Sequence, residues 1–167
     1  MTVFSDPHPQ RPDRLRVGDV VQYHRGIVTV LAIERTFDSG EKDGLEVDEL
    51  LAGQHGVVDL DDGHWAFADQ IDRVLVPADV HPVLRAVTLA NLWAQGEPVS
   101  EQAKDSAYET DVELDGEDRR RITVHAPKLR GAQILEAVSD LAKGGHFAYV
   151  DLPNANRGTV FHVVVPR

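Results

Sequence analysis

Cysteine is absent from the 167 residues, which excludes disulfides, thiolate metal sites, zinc ribbons and cysteine nucleophiles together. Long apolar runs are missing as well. None approaches the roughly 20 residues that cross a bilayer, and the N-terminal stretch MTVFSDPHPQRPDRLR lacks the apolar centre of a secretory signal. These two absences predict a cytoplasmic protein without a membrane partner. Also missing are a G-x-S-x-G elbow, a P-loop, a dinucleotide fingerprint and an H-E-x-x-H pair. Catalysis is therefore not expected, an enzyme with a carboxylate or histidine site invisible as a motif stays a remote alternative, and no cofactor is expected.

Positive charge is scarce, with 17 Lys and Arg against 28 Asp and Glu for a formal net charge of -11. Its distribution is lopsided. Between Phe37 and Asp72 the acids Asp38, Glu41, Asp43, Glu46, Asp48, Glu49, Asp59, Asp61, Asp62, Asp69 and Asp72 face a single Lys42, whereas Arg119, Arg120, Arg121, Lys128 and Arg130 cluster late. An acidic first half is repelled by a phosphate backbone and steered toward a basic protein surface, and it also serves simply to keep the chain soluble.

The stretch RVGDVVQYHRGIVTVLAI reads as two strands of a tight meander, with turns at Gly18-Asp19 and Arg25-Gly26 and a β-branched run from Ile27 to Val30. Further on, VVDLDDGHWAFADQIDRVL reads as a hairpin closed by Asp61-Asp62-Gly63, where glycine supplies the positive φ of a short loop. Together they predict a small closed β-barrel, a binding module by architecture. The run VGDVVQYHRGIVTVLAIE resembles the opening of SH3-like and Tudor-like barrels, KOW modules among them. More narrowly it is similar to the RNA-polymerase-interacting domain of the CarD family, which begins with a like Val-Gly-Asp, a Tyr, a Gly and an Ile-Glu. In that family the Tyr is usually followed by Pro and a His-Gly pair, whereas His24, Arg25 and Gly26 follow Tyr23 here, and the CarD C-terminal part is helical. The resemblance covers the first half only and implies partner capture at an exposed edge strand.

The expected fold class is α+β, in three parts. Residues 1–14 form an extended proline-rich arm, 15–77 the SH3-like barrel, and 78–167 an α+β domain. Within the barrel, residues 36–54 make a long acidic excursion, with a short helical turn at Val47 to Leu51. The second part is expected as two helices, a hairpin, a helix and a hairpin. The first helix opens at His81-Pro82 and stops at Gly96, and a more polar one starts near Pro98 to Ser100. A hairpin turns at Asp115-Gly116, an amphipathic helix carries Ile134, Leu135, Val138 and Leu141 to Gly144-Gly145, and strands run over Phe147 to Leu152 and Thr159 to Val165.

Three constellations are candidates for function. Tyr23, Trp65 and Phe67 are either barrel core or an aromatic recess for methylated side chains or proline-rich ligands; packing is the expected role, because so small an interior calls for large side chains. With Asp38, Glu41 and Asp43 they make the expected protein-partner surface. Arg119, Arg121, Lys128 and Arg130 make the alternative, a basic strand able to bridge phosphates of a nucleic acid in a transcription-associated role. Neighbouring acids, or a merely solvated face, account for the same residues. A weak helix-turn-helix likeness in LANLWAQGEPVSEQAKD carries Glu101 and Asp105 where a groove-reading helix needs positive charge. His55, Asp59, Asp61, Asp62 and His64 contain metal-ligating types, but turn chemistry accounts for the aspartates and strand alternation splits the rest, so no metal site is expected. The functional expectation is a non-catalytic interaction or assembly component, with homo-oligomerisation left open.

Overall fold

The computed structural model describes residues 12–36, 42–101, 108–153 and 158–166. It is mixed α+β, mostly sheet, with two α-helices among the described residues. The chain divides into two compact units, one to Ala78 and one from Asp79. Among the described residues no helix is long and apolar enough to cross a membrane.

Among the described residues of the first unit the regular elements are strands and one 3-10 turn. Strands β1 (Arg14–Arg16), β2 (Val20–Tyr23), β3 (Gly26–Thr36), β4 (Lys42–Val47), β5 (Glu49–Leu51), β6 (His55–Leu60), β7 (Trp65–Phe67) and β8 (Ile71–Val76) follow in order, with a 3-10 turn at Ala68–Gln70 between the last two. Their lateral order is β7-β6-β3-β2-β8, with β4 also on β3 and a separate β1-β5 pair. The four steps from Phe67 to Ile71 reach about 14 Å at full extension. A flat sheet would set its two edges about 19 Å apart. The sheet is therefore curled. Its ladder nevertheless stays open, because among the described residues β7 and β8 are not paired. The described residues thus form a curled sheet without the closure expected of a barrel, and the 3-10 turn follows β7 with Phe67 N–H donating to Gln70 Oε1 at 2.9 Å.

Val47 to Leu51 is a second correction. The expected helical turn is the end of β4 and all of β5, since Leu50 faces Leu15 across the β1-β5 ladder and both are fully buried. Burial of that pair outweighs any local turn preference. The core beneath the sheet joins Leu15 and Leu50 to Val21, Tyr23, Val28, Val30, Ile33, Val58, Leu60 and Ile71. Asp19, only 2% exposed, ties the end of β1 to the last residue of this unit. Its carboxylate accepts Arg16 N–H at 2.8 Å and Ala78 N–H at 2.7 Å, with the Arg16 guanidinium at 3.8 Å. The expected arm falls on residues that are mostly outside the description, and Arg14 already belongs to β1.

The second unit contains α1 (Pro82–Ala94), β9 (Glu109–Leu114), β10 (Arg119–Ala126), α2 (Ala132–Lys143), β11 (Phe147–Asp151) and β12 (Thr159–Pro166). Proline opens α1 behind His81, whose Nδ1 accepts Val83 N–H. The polar helix expected after Pro98 falls largely on residues 102–107, outside the described residues. All four strands form one antiparallel sheet in the order β11-β12-β10-β9. Alternation along β10 buries Arg120, Ile122, Val124 and Ala126 on one face. Ile122, Val124 and Ala126 join the core with Phe161, Val163 and Val165 of β12, Val83, Ala86 and Val87 of α1, and Ile134, Ala137 and Leu141 of α2. Both helices thus serve one face of the sheet, and the other face carries its polar side chains.

Candidate functional site

The β6-β7 hairpin is built on its loop. Asp62 Oδ1 accepts His64 N–H at 3.0 Å, and Gly63 takes a φ of 84° that a side chain would strain. Leu60 N–H to His64 O at 2.9 Å then fixes the register, which places Trp65 opposite Asp59, Ala66 opposite Val58 and Phe67 opposite Val57. Small Ala66 turns into the core. Trp65 and Phe67 turn outward, 54% and 44% exposed, with ring centroids 5.3 Å apart at 90°. The core reading of Trp65 and Phe67 is thereby corrected: the cross-strand partner of Trp65 is an aspartate, which strongly resists an apolar interior, and Phe67, two residues on, shares its outward direction. On the same face, the ladders continue from Asp59 to Ala32 and from Val57 through Glu34 to Glu46. An edge-to-face aromatic pair therefore stands on a face that carries carboxylates.

Tyr23 is not part of that pair. It is buried in the core, and its hydroxyl donates to Asp62 Oδ2. Burial first, then this hydrogen bond to a carboxylate, pushes the Tyr23 hydroxyl up to about 12. Burial works to raise Asp62, yet the Tyr23 hydroxyl, His64 N–H and the His64 ring outweigh it and hold the carboxyl below its ordinary value. Because the folded state favours neutral Tyr23, its contribution is complete below the unfolded value near 10 and is lost as pH rises through about 12. The expected loss is about 2–3 kcal/mol. Urea unfolding at about pH 9 and about pH 12 should show that extra loss in the native chain and not in Tyr23→Phe. Asp38 and Glu41 lie outside the described residues, as does the side chain of Asp43, whose backbone is in β4.

In the second unit the basic stretch is broken up. Arg121 is bound to Glu113 at 2.5 Å, and that carboxylate holds its guanidinium above the ordinary range. Arg130 folds back onto the carbonyls of Pro127 and Leu129 at 2.6 and 2.8 Å, and Arg120 is buried, 3.4 Å from Asn91 Oδ1. Arg119 and Lys128 are exposed. The strands do bring together residues that the sequence did not connect. His125 Nε2 lies 3.1 Å from Asp111 and His162 Nε2 lies 2.8 Å from Asp151, each pair spanning a hairpin. Tyr149 stacks on His162 at 4.6 Å and 15°. Both histidines and Thr123 line an open cavity of about 690 Å³. Only hairpin register could have signalled these pairs. Among the described residues no group of three or more His, Asp or Glu is arranged to hold a metal ion.

No protein-family model matches this chain, and neither a curated protein nor a solved structure matches it significantly.

Proposed function

We propose that the acidic first unit is an SH3-like interaction module, and that it captures a basic segment of a protein partner on the Trp65–Phe67 pair. The observation that carries this reading is the exposure of two large aromatics, edge to face, on strand β7, beside Asp59 and in line with Glu34 and Glu46. An arginine or lysine head can meet the face of an exposed ring and a carboxylate together, which joins a cation–π contact to an ion pair. Aromatic anchors of this kind carry a disproportionate share of interface energy. Capture proceeds through side chains at this edge, because the Phe67 N–H already donates to Gln70. A net charge of -11 adds long-range steering toward such a partner. The protein thus acts without catalysis, as an interaction or assembly component.

Fluorescence anisotropy of a labelled arginine-rich peptide tests this on the full chain. Binding should weaken steeply with salt, and a glutamate-rich peptide of equal length should not bind. Trp65→Ala with Phe67→Ala should reduce affinity by about tenfold or more. Stability should fall by only about 2 kcal/mol, since both rings are half exposed. Unchanged affinity in the double variant would refute the site, and a loss of several kcal/mol in stability would return the rings to a packing role.

A further inference from the structure

Among the described residues strand β9 is an edge, paired with β10 alone, and none of its six residues is buried. In an antiparallel edge strand every second residue directs its N–H and C=O away from its neighbour, leaving a template for another chain. Alternation gives β9 two unlike sides. Glu109, Asp111 and Glu113 sit across from His125, Thr123 and Arg121 on the polar face, whereas Thr110 and Val112 sit across from Val124 and Ile122 on the helix face. Val112 and Leu114 are 38% and 65% exposed despite facing that way. Between β9 and α1 runs a groove of about 300 Å³, lined by Ala86, Leu89, Ala90 and Trp93 from the helix and by Thr110, Asp111 and Val112 from the strand. Trp93 is 49% exposed beside it.

We propose that β9 accepts an extended peptide of a protein partner by strand addition, the peptide alternating basic and apolar residues. Its apolar side chains enter the groove beside Trp93, and its lysines or arginines lie next to Glu109, Asp111 and Glu113. Opposite charges across neighbouring strands favour the pairing, and main-chain hydrogen bonds supply the rest. A second copy of this chain is the wrong occupant, since β9 against β9 sets carboxylates beside carboxylates. The site lies in the second unit and does not depend on the Trp65–Phe67 reading.

Trp93 and Trp65 are the two tryptophans of the chain. Full-length protein carrying Trp65→Phe therefore reports this groove by Trp93 emission alone. A synthetic peptide alternating lysine and valine should shift that emission to the blue, and a block arrangement of the same residues should bind about tenfold more weakly or worse. N-methylation in one alternating frame should abolish binding while the other frame is tolerated, because strand addition uses every second N–H. Val112→Lys should remove binding with an unchanged circular dichroism spectrum. Glu109→Lys with Asp111→Lys should transfer preference to a glutamate–valine peptide, a reversal that misfolding cannot produce. Equal tolerance of both N-methylation frames, or no response of Trp93 to the alternating peptide, overturns the proposal. So does a concentration-dependent dimer abolished by Val112→Lys.

Discussion

Truncation of Phe161 to alanine is expected to lower the unfolding free energy by about 3–5 kcal/mol. Phe161 is fully buried and lies on an inner strand of the second sheet, facing Val124 on one side and Val150 on the other. It belongs to the cluster that includes Val87 of α1 and Leu141 of α2. Removal of the ring forfeits its transfer energy and leaves a cavity between sheet and helices that backbone hydrogen bonding prevents from collapsing. Domains commonly hold only about 5–15 kcal/mol in total, so the variant should unfold near room temperature or at much lower urea. A urea midpoint shift with an unchanged slope measures the effect. A loss under about 1 kcal/mol would show that the ring is not gripped by both layers.

Leu15→Ala is the counterpart in the first unit, with an expected cost of about 2–5 kcal/mol. Strand β1 has three residues and, among the described residues, pairs only with β5, so its attachment rests on the fully buried Leu15 and Leu50. The flanking Arg14–Glu49 ion pair, at 2.7 Å, is exposed on both sides. Arg14→Ala should therefore change stability by about 0–1 kcal/mol, as solvent screens such pairs. Denaturant unfolding of the two variants should rank them in that order. Equal losses would assign the attachment of β1 to its charges.

The second unit was largely legible because its signals are local. Thr123, His125 and Arg121 alternate with Ile122, Val124 and Ala126, and the Asp115-Gly116 turn and the Gly144-Gly145 stop coincide with element ends. That β10 pairs with β12, bringing His125 and His162 into one cavity, is a long-range fact that no local pattern carries. In the first unit, β5 was misread because its partner lies far upstream, at Leu15. Trp65 was misread on grounds of size alone. The hairpin loop and Asp59 together determine its direction, since the register that puts Val58 inside puts Trp65 beside Asp59 outside. The aromatic site was thus encoded in the loop length, and not in the aromatics themselves.

Asp19 has a consequence of another kind. Strand β1 ends at Arg16 and the first unit ends at Ala78, and one buried carboxylate gathers the amides of both. A fold whose first described strand and last residue meet at a single side chain is a cassette closed at its base. It can be grafted into a surface loop of another protein, or joined end to end and reopened at the Gly63 turn as a circular permutant, because neither operation asks the two ends to move apart.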